Sequence, residues 1–111
     1  MTKKMDVLVY PVKDLARAKA LHGKLLGVEP YADTPYYVGF HAGDLQIGLD
    51  PRGKSNGPIA FWLTDDIEAS LRELTDAGAE LREAARDVGG GKLVATVTDP
   101  DGNVIGLAQN P

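Results

Sequence analysis

The sequence predicts an α+β domain built from two consecutive βαβββ modules. Two matches between the halves predict it: the helix starts Asp14-Leu15 and Asp66-Ile67, and the closing strands Ile47-Gly48-Leu49 and Ile105-Gly106-Leu107. The third observation is that the matches fall in the same element order, which points to duplication rather than chance recurrence. A chain of 111 residues, 43% hydrophobic, is long enough for one core and too short for two independent ones. One domain over residues 1–111 is therefore expected, with module one at 5–50, a linker at 51–57 and module two at 58–109.

Each element has a local cause. Met5 to Val12 is rich in β-branched and aromatic residues and reads as a strand, and Asp14 is placed to cap the helix that follows. Positions 15, 18, 22, 25 and 26 repeat at helical spacing until Gly27, a C-cap candidate. Val28 to Tyr31, Tyr36 to His41 and Leu45 to Leu49 then read as three strands. Residues 51–58 hold prolines, glycines and small polar residues and form the connector. The order restarts with a strand at Ile59 to Thr64, the cap Asp65-Asp66 and a helix presenting Ile67, Leu71 and Leu74 before Gly78. A short strand at Glu80 to Arg82, a looser stretch, Leu93 to Thr98, the turn 99–103 and a strand from Val104 complete the chain. Asp14 to Gly48 spans 34 residues and Asp66 to Gly106 spans 40, an excess assigned to an enlarged loop at 86–91.

Composition narrows the functional classes. With 16 acidic against 12 basic residues, the latter scattered, nucleic acid is not an expected partner. No run approaches the roughly 18 apolar residues of a membrane helix, and Met1 to Lys4 lead straight into a strand-like segment, so no membrane partner and a cytoplasmic location are expected. The absence of cysteine excludes disulfides, thiolate nucleophiles and sulfur-ligated zinc. Gly89-Gly90-Gly91 leads into a strand instead of opening a helix, so it reads as a flexible loop and not a phosphate cradle.

Val12-Lys13-Asp14-Leu15 with Leu26-Gly27, Ile59-Ala60-Phe61 with Asp65-Asp66 and Ala77-Gly78, and Thr98-Asp99-Pro100-Asp101-Gly102-Asn103 together resemble the vicinal oxygen chelate superfamily, which includes glyoxalase I, extradiol dioxygenases and bleomycin-binding resistance proteins. The resemblance covers nearly the whole chain and implies that the two modules form a curved mixed sheet, a cup, with the helices on its outer face and ligands bound inside it, often at a homodimer interface. It also implies metal ligands, His, Gln or Glu, on the first and last strand of each half. Here those positions carry Val7, Gly48, Gly106 and either Pro58, by strand alignment, or Ile59, by helix start. Pro58 is preferred, since Ile59, Phe61 and Leu63 then face the helices. None of these side chains offers a lone pair to a divalent cation, so no metal and no other cofactor is expected.

Strand alternation then assigns the cup lining. With Gly48 and Gly106 facing inward, Gln46, Asp50, Val104 and Ala108 do too, while Ile47, Leu49, Ile105 and Leu107 face the helices. Ala60, Trp62 and Thr64 are placed inward, as are Tyr36, Val38 and Phe40 when Phe40 is matched to Thr98; Val94, Thr96 and Thr98 complete the wall. The candidate ligand-binding residues are Trp62, Tyr36, Phe40, Val7, Gln46, Gly48, Asp50, Thr96, Thr98 and Gly106, with Trp62 first for its stacking surface. Glycines at the old ligand positions are read as widening the cup for a flat molecule. Tyr10, Tyr31, Tyr37 and Phe61 are assigned to the core or to turns, and neither His22 nor His41 is assigned a catalytic role. The expected function is metal-independent sequestration of a hydrophobic or aromatic small molecule by a homodimer, more in the manner of a binding protein than an enzyme. The alternative is a glyoxalase-like lyase or isomerase that uses other residues of the same cup.

Overall fold

The computed structural model describes residues 3–111. The chain folds as β1 (Met5–Pro11), α1 (Leu15–Leu26), β2 (Ala32–Thr34), β3 (Tyr37–Ala42), β4 (Leu45–Asp50), β5 (Ile59–Leu63), α2 (Ile67–Asp76), β6 (Glu80–Asp87), β7 (Leu93–Thr98) and β8 (Val104–Gln109). This is the tandem βαβββ order, and the chain divides into two compact units, residues 7–59 and residues 3–6 with 60–111.

In the first unit the strands lie in the order β2, β3, β4, β1, with β3 antiparallel to both neighbours and β1 parallel to β4. Helix α1 begins where the Asp14 carboxylate accepts the Arg17 N–H at 3.0 Å, and it ends at Gly27, whose φ of 70° is left-handed and whose N–H reaches the Gly23 carbonyl. It covers one face of the sheet, where Val38, Phe40, Ile47 and Leu49 are buried against Leu15, Ala18 and Leu26. His22 is held at the edge of this cluster: its Nδ1 lies 3.0 Å from the Ala18 carbonyl and its ring contacts Tyr10.

The second unit repeats the plan in the order β5, β8, β7, β6, with β5 parallel to β8. Asp66 caps α2 by accepting the Ala69 N–H at 3.1 Å. Ile67 and Leu71 pack on Ala95, Val97 and Leu107. Among the described residues the buried side chains form two clusters, because the strands of each unit pack their own helix.

Three boundaries differ from expectation. The strand expected at 28–31 lies at 32–34, after Tyr31 has turned its N–H to the Gly39 carbonyl. Tyr36 falls in the turn before β3, where the Thr34 hydroxyl accepts the Tyr36 and Tyr37 N–H groups. Strand β6 runs through 87, and the length excess of the second module is spent on two irregularities in that strand and on the glycine turn after it. Gly89, Gly90 and Gly91 all have positive φ, and the Asp87 carboxylate accepts the Gly89 N–H at 2.7 Å, so the chain's own acid fills that loop.

Candidate functional site

The helix-free face of each sheet follows from register. In the first unit Val7 pairs with Gln46 and Val9 with Gly48, while Gly39 and His41 lie opposite Gly48 and Gln46. Directly paired residues share a face, so Val7, Gln46, Gly48, Gly39 and His41 stand together, opposite the buried Ile47 and Leu49. In the second unit Phe61 and Thr96 flank Gly106. The inward placement of Val7, Gln46, Gly48, Thr96, Thr98 and Gly106 therefore agrees with the ladder.

Three placements do not. Phe40 pairs with Ile47 and is fully buried on the helix side; its counterpart is Val97, not Thr98, so the assumed match was off by one residue and inverted Val38 and Phe40 together. Trp62 packs on the α2 cluster and lines a groove of about 340 Å³ with Ser70, Glu73, Leu74, Ile105 and Leu107. Phe61 takes the helix-free side in its stead, so the alignment by helix start is the correct one and Ile59, not Pro58, matches Val7. Tyr36 is exposed in its turn, with the Arg52 guanidinium 5.2 Å from its ring centroid. Asp50 keeps its expected parity, but its carboxylate accepts the Arg52 N–H at 2.9 Å and so closes the turn after β4.

The glycines are occupied as well as open. A Cβ on Gly48 would meet the hydroxyl end of Tyr37, one on Gly39 would meet the Tyr31 ring, and one on Gly106 would stand 2.5 Å from Phe61 Cδ1. The missing side chains seat the protein's own aromatic rings. Tyr31, Tyr37 and Phe61, assigned above to core or turns, are thus the aromatic residues of the helix-free faces. The signal available in sequence was the glycine in each ladder, since a ring crossing a neighbouring strand needs a residue without Cβ beneath it.

Polar groups complete each face. Tyr31 donates to Gln46 Oε1 at 2.6 Å and stacks on His41 with ring centroids 4.4 Å apart, and Tyr31 is 48% exposed. In the second unit Thr96, only 3% exposed, donates to Glu83 Oε1 at 3.3 Å, and Arg82 Nη1 donates to Glu83 at 3.0 Å and to Thr96 at 3.3 Å. Arg82 and Glu83 were not legible because the irregularities in β6 suspend the alternation from which faces are read.

The metal implied by the resemblance does not fit these residues. Val7, Ile59, Gly48 and Gly106 carry no donor atoms, and Tyr37 and Phe61 take the space above the two glycines. Among the described residues no three His, Asp or Glu side chains come together as a metal would require. Likewise among the described residues, no helix is long and apolar enough to cross a membrane.

Among solved structures, a hypothetical protein of Bacillus halodurans matches with a TM-score of 0.80 at 14% identity, covering 100% of this chain and 96% of its own. Methylmalonyl-CoA epimerase of Mycobacterium tuberculosis matches at 0.76 and 20% identity, over 96% and 87%. A glyoxalase/bleomycin resistance protein/dioxygenase superfamily member of Vibrio splendidus matches at 0.73 and 17%, over 99% and 100%. At these identities the likeness is one of fold. No curated protein matches the sequence. The pattern that defines the Glyoxalase/Bleomycin resistance protein/Dioxygenase superfamily matches residues 4–107, and the chain belongs to that family.

Proposed function

We propose that the protein binds a planar, largely apolar small molecule on the helix-free faces of its sheets without a divalent metal, as a sequestering protein rather than an enzyme. The observation that carries this reading is the exposed Tyr31–His41 stack, tied to Gln46 and standing where the metal positions of the family hold no donor. An aromatic pair held by a hydrogen bond is a preorganised stacking surface, and it needs little ordering when a ring lands on it. Val7, Gln46 and Gly48 remain in the proposed lining of the first unit's face, and Thr96, Thr98 and Gly106 in that of the second. Tyr31 and Tyr37 in the first unit, and Phe61 in the second, take the stacking role first assigned to Trp62, Phe40 and Tyr36.

The homodimer belongs to the same proposal, supported by Leu21 and Leu25 on α1, which are 63% and 74% exposed. Light scattering at micromolar concentration should give twice the monomer mass; the monomer mass would remove the dimer. For the ligand, a thermal-shift screen of planar aromatic compounds should yield stabilising hits. Tyr31→Ala should weaken those hits about tenfold while Trp62→Ala leaves affinity unchanged in the folded protein. The reverse order would return Trp62 to the site and contradict the proposal.

A further inference from the structure

Strand β6 gathers polar groups at one point of the second unit's helix-free face. We infer that Arg82 is a carboxylate-binding residue there, so that this face selects planar molecules carrying an acid group over neutral ones. The inference deepens the reading above and rests on it only in taking the helix-free face as the ligand side.

In a regular strand Arg82 and Glu83 would point to opposite faces. The register shifts between Leu81 and Glu83, and again between Glu83 and Arg86, and both side chains reach the same Thr96 hydroxyl, each at 3.3 Å. Thr96 pairs with Gly106, which seats Phe61, so the guanidinium lies on the face that carries an aromatic ring.

The way Arg82 is held decides its use. Both of its hydrogen bonds leave from Nη1, and among the described residues Nε and Nη2 make none. Glu83 meets it through one oxygen and its side chain is 51% exposed, whereas that of Arg82 is 27% exposed. A single-point bond from a half-exposed carboxylate is weak. A planar carboxylate approaching the unused edge can form the two-point fork that guanidinium favours. Glu83 is then a resident competitor that swings to water when an acid binds, and the buried Thr96 hydroxyl holds the guanidinium in place.

The test uses 2-naphthoate and its neutral analogue 2-naphthamide, titrated into the full chain and followed by proton–nitrogen NMR, including the Arg82 Nε–H signal. Naphthoate should bind about tenfold more tightly, a factor typical of one charged hydrogen-bond pair, and should move the signals of Arg82, Thr96 and Gly106. Arg82→Gln should abolish the preference, and Arg82→Lys, which keeps charge and loses the fork, should retain part of it. Glu83→Gln should enlarge it by removing the competitor. Equal binding of the two probes, or a preference that survives Arg82→Gln, overturns the Arg82 assignment and leaves the ligand face standing. Shifts confined to the α2 side, or no binding of either probe, overturn both.

Discussion

Gly48 and Gly106 hold equivalent places in the two units, yet they seat their rings differently. Above Gly48 lies the hydroxyl end of Tyr37, which reaches it from the turn side of β3, while above Gly106 lies the root of the Phe61 ring, from the neighbouring strand β5. For the same small change in χ1 the far end of a ring moves farther than its root, so the contact above Gly48 yields more readily than the one above Gly106. In both units the space above the glycine is taken by one of the chain's own aromatic rings.

The largest expected effect tests the division between faces. Phe40→Ala, at a fully buried position beneath α1, should cost about 3–5 kcal/mol, measured by denaturant unfolding, as for other buried aromatic truncations. A cost under about 1 kcal/mol would return Phe40 to an open wall. Gly106→Ala should cost about 1–3 kcal/mol by overpacking against Phe61, and Gly48→Ala distinctly less, because only the end of Tyr37 must yield. Equal costs would erase the difference between the two seats. The helix caps should behave alike in both units, with Asp14→Ala and Asp66→Ala each losing about 1 kcal/mol.

The smallest effect is one of pH. The Asn103 side-chain amide, followed by the Asn103 and Asp101 backbone N–H groups, holds the Asp99 carboxyl below its ordinary value of 3.8. A carboxyl lowered on folding stabilises the turn fully above 3.8 and loses that contribution as pH falls through the lowered value. An NMR titration should find the Asp99 midpoint under 3.8, rising toward it in Asn103→Ala; a midpoint at or above 3.8 in the native chain would contradict the turn geometry.

The legibility of the sequence followed the regularity of the backbone. Caps at Asp14, Asp66 and Gly27 and the span of β7 were readable because each is set by a few neighbouring residues. The faces of β4, β7 and β8 followed from strict alternation. Phe40 and Trp62 were misplaced because assigning a face needs the cross-strand partner, and one residue of error inverts a whole strand. Arg82 and Glu83 lay beyond reach for the related reason that a bulged strand has no fixed alternation. The glycines were located correctly and their purpose was not, since what fills the space above a glycine depends on a strand elsewhere in the chain.

Binding of an apolar ligand to the helix-free faces without a metal is best checked by the thermal stabilisation that a screening hit gives before and after exhaustive chelation. The same stabilisation is expected in both samples, with no recovery step needed. Loss of stabilisation on chelation, restored by one equivalent of a divalent metal, would contradict it.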